Sequence, residues 1–317
     1  MLPVNVIRDP RAASREPRSE VSVRLLAALE GGNREGHGSQ SDRNSVWDMP
    51  HERMAAAVRD GSLPRFQEDS RVADHICHGG GEIYLQRIAE RYGQERLSFF
   101  LSTYRETLCG EPQDITCVQG CYITRTAMRH LYHLAVLHGF SRDFYGRAVN
   151  FVEIGGGFGN LARLARQYRL AERYYIVDVP VSLVVQMFYL TEFFGGDEVA
   201  LWDGTNYLHG SEDSPICLLP PHAIELLSVV SSPTFLVSTM ALTETPRSIQ
   251  DEYLEKLRFS TIYVYGQTLT NYLGGSKQLS GSDLDNANLF YQLAKTCHVV
   301  EWSQADYYSE LLGINIT

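Results

Sequence analysis

The stretch FVEIGGGFGN, residues 151–160, places a carboxylate directly before a cluster of glycines near the middle of the 317-residue chain. Its first four residues read as a buried strand and NLARLARQYRL, which follows, reads as a helix, so the glycines form the turn between them. Glycine lets a backbone curve tightly and approach a ligand, and a helix N-terminus presents unpaired N–H groups. The residues of this turn that we predict to bind a cofactor are Glu153, Gly155, Gly156, Gly157 and Gly159.

The spacing of these glycines bears on which nucleotide the turn could hold. A P-loop requires a Gly-Lys pair, and the chain contains none. The dinucleotide pattern G-x-G-x-x-G fails from Gly155, because residue 160 is asparagine, but its G/A variant can still start at Gly157 with Ala162 as the last position. The pattern E-x-G-x-G-x-G, which begins at Glu153, is matched in full.

A second carboxylate, Asp178, ends the predicted strand RYYIVDVP roughly twenty residues after the turn, a distance that dinucleotide folds share. A carboxylate at this point can accept hydrogen bonds from two hydroxyl groups. The spacing alone does not separate the two kinds of nucleotide. We assign Asp178 and the adjacent Val179 to the same cofactor site.

Together, Glu153, the glycine turn and Asp178 resemble motif I and the second-strand acid of class I S-adenosylmethionine-dependent methyltransferases. The resemblance implies that Glu153 helps to bind the methionine end of S-adenosylmethionine. It implies that the glycine turn passes beneath this cofactor and that Asp178 takes its ribose hydroxyls.

A narrower resemblance covers residues 150 to 317. The segments FVEIGGGFGNLARLA, YYIVDVPVSLVVQMFYL, FLVSTMALTETP and YVYGQTLTNY are similar, in the same order, to segments of the bacterial sugar O-methyltransferases. The chain departs from that family at Ser238, where an amide side chain is expected. The resemblance implies O-methylation of a sugar or a sugar-containing small molecule. The alternatives are another small-molecule acceptor with a nitrogen or carbon nucleophile, an NAD-dependent dehydrogenase, and a non-catalytic partner subunit with the same fold.

Methylation of a hydroxyl group requires that its proton be removed, so a base should lie near the cofactor. Glu244 follows the predicted strand FLVSTMAL and is the first candidate, although a cap before the helical PRSIQDEYL would explain it equally. His209, in the loop DGTNYLHGSED, is the second. The residues predicted to contact the acceptor are Tyr122, Arg125, Gln267 and Asn271. Asp203, His209 and Glu244 could ligate a divalent ion, but no spacing rule supports one, so a metal stays open.

Three regions follow from the hydrophobic patterns. Residues 1–48 are rich in Arg, Ser, Gly and Glu and are predicted to be flexible, because EGGNREGHGSQSDRNS has no apolar periodicity. Within this segment, SVRLLAALE could form one or two helical turns. Residues 49–148 read as all-helical and are predicted to form a lid, a substrate-binding region or a dimerisation region. In 149–317, strands alternate with helices, which predicts an α/β fold with a doubly wound, Rossmann-like parallel sheet. EVALW and ICLLP both qualify as its third strand; we favour ICLLP, with 196–214 as an insertion over the site.

The composition narrows the class of protein. Hydrophobic residues make up 44% and charged residues 21%, as in soluble globular proteins, and the net charge of −10 argues against nucleic acid as the main partner. No apolar run is long enough to span a membrane, and the six scattered cysteines indicate a reducing, cytoplasmic location. CHGGGE, residues 77–82, is similar to an oxyanion element of esterases, but no G-x-S-x-G elbow accompanies it, which excludes a hydrolase. A small-molecule acceptor is expected as the partner, and a homodimer is possible.

Overall fold

The helices and strands are taken from a computed structural model, which describes residues 6–7, 18–32, 48–77, 79–229, 233–245, 247–257, 259–267, 281–305 and 308–315. The first part of the chain contains β1 (Val6–Ile7), α1 (Arg18–Gly32), α2 (Asp48–Arg59), α3 (Ser70–Ile76), α4 (Glu82–Tyr92), α5 (Gln94–Thr103), β2 (Glu106–Thr107), β3 (Ile115–Val118), β4 (Cys121–Thr124) and α6 (Arg125–Phe140). The second part contains β5 (Val149–Ile154), α7 (Asn160–Gln167), β6 (Ala171–Val177), α8 (Pro180–Phe194), β7 (Val199–Trp202), β8 (Tyr207–His209), β9 (Ile216–Leu219), β10 (Thr234–Thr239), α9 (Ala241–Glu244), α10 (Arg247–Lys256), β11 (Thr261–Gln267), α11 (Gly281–Thr296), β12 (Cys297–Ala305) and β13 (Tyr308–Asn315).

Nine strands form one sheet in the order β12-β13-β11-β10-β5-β6-β9-β7-β8. The central pairs, from β11 through β10, β5 and β6 to β9, are parallel, and β13 and β12 add antiparallel strands at one edge. The chain leaves β5 through β6 and β9 on one side and returns to β10 on the other. The strand order therefore reverses beside β5, and ligands of open α/β sheets bind in the crevice beyond such a point. This arrangement confirms the predicted α/β fold with a parallel-dominated sheet and a helical N-terminal region.

Side chains alternate between the two faces of the sheet and supply two apolar cores. Phe151 of β5 packs into the core that also contains buried residues of α1 to α8, whereas its neighbour Val152 packs into the core shared with α9, α10 and α11. The helix α6 is buried along most of its length, from Thr126 to Gly139. The N-terminal helices thus form the layer on one face of the sheet and share its core.

The region from 49 to 148 is not entirely helical, contrary to our prediction. β3 and β4 pair as a short antiparallel hairpin, and β2 pairs with β1. The hairpin turns at Gln119 and Gly120, whose φ values of 51° and 78° are both positive, as the tight hairpin turns require. Four-residue strands separated by two residues carry too little periodicity to distinguish them from a loop.

Part of the segment predicted to be flexible is a helix. Helix α1 lies inside residues 1–48 and packs against α8. Its Leu26 and Leu29 are each 1% exposed and belong to the core on that face of the sheet. The prediction of a flexible segment over 1–48 is therefore wrong for α1.

The favoured third strand, ICLLP, is β9 and pairs directly with β6, as predicted. The segment 196–214, however, does not cover the site. It supplies β7 and β8, which extend the sheet at its far edge, with β7 parallel to β9 and β8 antiparallel to β7. None of the helices in the described ranges has the length and apolar character that crossing a membrane requires.

Candidate functional site

The glycine turn lies between β5 and α7 with a backbone that only glycine adopts easily. Gly155, Gly157 and Gly159 have φ values of 74°, 56° and 89°, in the left-handed region that disfavours other residues. The turn is also crowded. A β-carbon on Gly155 would overlap the β-carbon of Ala241, and one on Gly156 would lie 2.6 Å from Ile176 Cγ2. The predicted turn is therefore a tight backbone loop at the carboxyl end of β5, beside the point where the strand order reverses.

Asp178 lies across from this turn at the end of β6 and holds it in place. Its Oδ2 accepts hydrogen bonds from Gly156 N, at 2.9 Å, and from Gln186 Nε2, at 2.7 Å. Its Oδ1 accepts one from Val179 N at 2.8 Å. Burial raises the pKa of Asp178 to about 6, against the effect of these donors. Asp178 as a residue is partly exposed, and its carboxylate braces the glycine turn at the carboxyl end of β6.

Glu153 is the last residue but one of β5 and is 1% exposed. Tyr174 OH donates a hydrogen bond to its Oε2 at 2.9 Å. Burial raises the pKa of Glu153 to about 8, and the nearby Asp178 adds to the rise while the Tyr174 hydroxyl opposes it. A buried carboxyl group of this kind gains from a cationic group placed beside it, because the positive charge stabilises its ionised form.

Asn160, which interrupts the dinucleotide pattern, has a structural role at the start of α7. Its Nδ2 donates to His130 Nδ1 at 2.9 Å, and its Oδ1 accepts from Arg163 Nε and Tyr189 OH, both at 2.9 Å. Arg163 is fully buried and also approaches the Tyr104 hydroxyl at 3.3 Å. A glycine at 160 would leave these buried polar groups without their shared partner.

A strained residue follows β10. Met240 has a φ of 102°, a conformation that costs a non-glycine residue about 1–3 kcal/mol. Met240 N donates to Tyr265 O at 2.6 Å, and Thr243 N and Oγ1 both donate to Met240 O, at 3.0 and 2.7 Å. These bonds turn the chain sharply into α9, which brings Ala241 against Gly155.

Ser238, where an amide side chain is expected, completes this corner. Its Oγ donates to Ile154 O at 3.1 Å and accepts from Leu242 N at 2.9 Å. The serine therefore ties the end of β5 to the first turn of α9. A short hydroxyl side chain suits this position because the residue is 1% exposed and both partners are backbone groups.

Glu244 ends α9 and is partly buried. Burial raises the pKa of Glu244, and the positive charge of Arg129 on α6 opposes that rise. Its helix begins at Ala241, the residue in contact with the glycine turn. The chain thus has a carboxyl group of raised basicity one short helix away from the predicted cofactor turn.

A cluster of tyrosine and cysteine side chains around Arg129 was not predicted from the sequence. Burial lowers the pKa of Arg129, and the nearby phenol groups of Tyr84, Tyr265 and Tyr308 and the Cys77 thiol oppose that effect. The Tyr84 and Tyr265 hydroxyls are 3.2 Å apart, and the Tyr265 and Tyr308 rings stack with centroids 5.5 Å apart. Arg129 is one helical turn from Arg125 and from His133, and this polar stripe on an otherwise apolar helix is the only sequence signal for it.

His209 and Asp203 lie elsewhere. His209 is on β8, five strands from β10 in the sheet, which at about 4.8 Å per strand is roughly 24 Å. Its Nε2 donates to Gly196 O at 3.1 Å, and Asp203 Oδ1 accepts from Thr205 N and Asn206 N, both at 2.7 Å. The structure therefore brings neither residue to Glu244, and the metal set considered above does not assemble. Across the described part of the chain, no three His, Cys, Asp or Glu side chains are grouped to hold a metal ion.

The residues predicted to contact the acceptor are spread out. Tyr122 lies on β4 and is 37% exposed. Arg125 begins α6, is exposed, and its Nη2 donates to Gly80 O at 3.4 Å. Gln267 is the last residue of β11, at the carboxyl end of the sheet, and Asn271 lies outside the described residues. Gln267 therefore lies at the edge of the sheet where ligands of such folds bind, and Arg125 lies beside Gly80, one helical turn from Arg129.

Gly79, Gly80 and Gly81, the glycines of the CHGGGE motif, lie between α3 and α4 and contact α6. Gly80 packs so closely on α6 that a β-carbon there would overlap Arg125 O, and one on Gly79 would lie 3.8 Å from Arg129 Nη1. Just before this segment, Ile76 O lies 3.3 Å from where a Gly157 β-carbon would be. The end of α3 and the Gly79–Gly81 backbone therefore connect the glycine turn to the Arg129 cluster.

No protein-family model matches the chain, and no curated protein matches it significantly. Solved structures with a similar fold include the magnesium protoporphyrin IX methyltransferase of Synechocystis PCC 6803 with bound SAH, at a TM-score of 0.38 and 10% identity over 74% of this chain and 100% of that one. They also include the TrmK of M. capricolum in complex with S-adenosyl-homocysteine, which has a TM-score of 0.35 and 13% identity over 57% of this chain and 67% of that one. A ribosomal protein L11 methylase from Lactobacillus delbrueckii subsp. bulgaricus has a TM-score of 0.37 and 12% identity over 67% of this chain and 86% of that one. Similarities this distant support no inference about what the present chain binds.

Proposed function

We propose that the chain is an S-adenosylmethionine-dependent methyltransferase that methylates a hydroxyl group of a small molecule, a sugar or a sugar-containing compound. The observation that carries the proposal is the arrangement at the end of β5. There the glycine turn is held between Asp178 and Ala241, with the buried carboxyl group of Glu153 directly before it. The resemblance to motif I rests on the same residues.

The residues of the turn fit this cofactor. Three positive φ values and the contact with Ala241 keep the backbone free of side chains where a ligand would pass. Glu153 has a pKa of about 8 in its buried setting, and the ammonium and sulfonium charges of S-adenosylmethionine would favour its ionised form. Asp178 would hold the ribose hydroxyls with its carboxylate.

When bound, S-adenosylmethionine supplies a methyl group that is already activated by the sulfonium, so the chain's own residues need to align the acceptor and remove its proton. Glu244 is proposed as the base. Its partly buried setting raises its pKa and so strengthens it as a proton acceptor. The strained turn at Met240 orients its short helix over the glycine turn.

A sugar acceptor is supported by the resemblance to the sugar O-methyltransferases and by the tyrosines grouped near Arg129. Tyr84, Tyr265 and Tyr308 offer aromatic faces and hydroxyl groups beside Arg129. Flat aromatic faces pack on apolar surfaces while their hydroxyl groups remain able to form hydrogen bonds, a combination that suits a hydroxylated ring.

The proposal is tested by incubating the purified protein and cell extract with methyl-labelled S-adenosylmethionine and identifying labelled products by mass spectrometry. We expect a labelled small hydroxylated compound that is absent without protein and strongly reduced with Glu244→Gln. An exposed carboxylate on the next helix provides the control, since Glu252→Gln should label as wild type does. Label that appears only in RNA or protein would contradict the proposed class of acceptor.

A further inference from the structure

Arg129 differs from the other deeply placed arginines of the described chain. Arg91 forms ion pairs with Glu310, at 2.6 Å, and with Glu301, and it donates to the Tyr132 hydroxyl. Arg163 donates to the Asn160 amide and to the Arg105 carbonyl. Arg91 Nη2 and Arg129 Nε are both buried without a hydrogen-bond partner, but of these two only Arg91 is ion-paired among the described residues.

The groups around Arg129 do not neutralise it within the part of the chain that the structure describes. Glu244 is near enough for the two charges to affect each other, but no ion pair joins them. The other nearby groups are phenols and a thiol, which are neutral at pH 7. Burial lowers the pKa of Arg129, although arginine stays protonated in proteins. Arg129 is partly exposed and its Nε is buried, so a ligand that supplies a counter-charge would stabilise this guanidinium.

The Arg129 charge lies near the segments that surround the glycine turn. Arg129 faces Gly79, which follows the segment in contact with the glycine turn, and it lies across from Glu244 at the end of α9. The stacked Tyr265 and Tyr308 on β11 and β13 form the wall beside it. The guanidinium therefore lies on the side of the crevice that belongs to β11 and β13, away from Asp178 on β6, which marks the proposed ribose side.

We propose that Arg129 binds a carboxylate or phosphate group of the acceptor and so selects an acidic hydroxylated substrate, such as a sugar acid or a sugar phosphate. The inference rests on the proposed function. A guanidinium presents paired N–H donors that match both oxyanions, and the Arg129 side chain is partly exposed beside Gly79, so an oxyanion could reach it. With the oxyanion held at Arg129, a neighbouring hydroxyl of the same acceptor would face Glu244, the proposed base.

The test uses oxyanions as probes, because the acceptor is unidentified. Full-length protein saturated with S-adenosylhomocysteine is titrated with inorganic phosphate, malonate and D-glucuronate at constant ionic strength, and binding is followed by thermal stabilisation and calorimetry. We expect at least one oxyanion to bind wild type, Arg129→Gln to lose this binding at least tenfold, and Arg142→Gln to retain it. Arg142 is an exposed arginine just beyond α6.

Two further measurements distinguish acceptor binding by Arg129 from a structural role and from binding of the cofactor. The unliganded Arg129→Gln protein should melt at the same or a higher temperature than wild type, because a partly buried charge without an ion-pair partner among the described residues is removed. A lower melting temperature would indicate a structural arginine and overturn the proposal. S-adenosylhomocysteine should bind Arg129→Gln as tightly as wild type. A loss of that affinity would assign Arg129 to the cofactor's own carboxylate instead. Failure of every oxyanion to bind wild type would also overturn it, whereas failure of S-adenosylhomocysteine alone would refute the proposed function.

Discussion

Gly155 and Ala241 are in direct contact across the end of the sheet, so closely that a β-carbon on Gly155 would overlap that of Ala241. This contact joins the turn proposed to hold the cofactor to the helix that carries the proposed base, Glu244. Any substitution that pushes α9 away from the turn should therefore affect cofactor binding and catalysis together.

We predict that Gly155→Ala weakens S-adenosylhomocysteine binding by at least tenfold, because the added methyl group must displace α9 or the turn. Gly146→Ala is the matched control: its φ of 64° is close to the 74° of Gly155, but nothing lies within 4 Å of an added β-carbon. Both variants should lose about 1–3 kcal/mol of stability through backbone strain, as urea unfolding would measure. Equal affinity in the two variants would show that the contact with Ala241 does not shape the site.

Glu153 should make stability depend on pH. Its folded pKa of about 8 lies above its usual value of 4.5, so the folded state holds the proton more tightly than the unfolded state does. Stability is therefore highest below the unfolded pKa and falls as pH rises through the folded one. The raised pKa of Asp178, about 6, also lowers stability as pH rises, but this effect ends near pH 6.

Between pH 6 and 8 Glu153 lowers stability as pH rises, whereas the buried His130 and His133, whose pKa values burial lowers, act in the opposite direction near pH 6.5. The slope of wild type minus that of Glu153→Gln isolates the Glu153 contribution, and we expect this difference to be negative up to pH 8. Urea unfolding at several pH values measures this. Binding of S-adenosylhomocysteine at pH 7 should also release protons from wild type, since its ammonium group favours the carboxylate. Calorimetry in buffers of different ionisation enthalpy would detect the release, and an equal release from Glu153→Gln would assign it to another group.

Glu244→Gln should separate catalysis from binding. The amide keeps the shape of the side chain but cannot accept a proton, so turnover should fall by roughly 10²–10⁴ while cofactor affinity stays unchanged. Because burial raises the pKa of Glu244, the acidic limb of the wild-type pH–rate profile should lie above the usual 4.5 and disappear in the variant. A variant that changes only the acceptor KM would make Glu244 an anchor for the acceptor. Full activity would exclude both roles.

The parts of the site that sequence reasoning identified are local ones. Glu153 and the glycine turn lie within seven consecutive residues, and Asp178 ends the next strand, so short-range patterns are sufficient to place them. Asn160 could be seen to break the dinucleotide pattern, but its hydrogen bonds to His130, Arg163 and Tyr189 depend on how α6, α7 and α8 pack.

The Arg129 cluster could not be predicted in the same way. Its members come from α4, α6, β11 and β13, and nothing in the sequence spacing indicates that Tyr84 and Tyr265 meet. His209 was misplaced because a polar loop near the chain's middle resembles a site loop, whereas the fold uses it as an edge strand. SVRLLAALE was predicted to form at most two helical turns, and its role in the core could not be predicted because its partner, α8, is more than 140 residues away.

Helix α1 should contribute to stability despite its polar surroundings in the sequence. Leu26→Ala and Leu29→Ala should each cost about 2–5 kcal/mol, the usual range for a buried leucine. The control Arg24→Ala, on the exposed side of the same helix, should cost little. Thermal unfolding of the three variants measures the difference, and wild-type stability in both leucine variants would show that residues 1–48 are dispensable, as their polar sequence suggests.

The most direct test of the central proposal is a calorimetric titration of the purified wild-type protein with S-adenosylhomocysteine and, separately, with NAD. We predict saturable binding of one S-adenosylhomocysteine per chain and no binding of NAD. The full pattern from Glu153 to Gly159 suits S-adenosylhomocysteine. In a dinucleotide site that starts at Gly155, Asn160 would occupy the position of the third glycine. Binding of NAD without S-adenosylhomocysteine would contradict the assignment and favour a dehydrogenase.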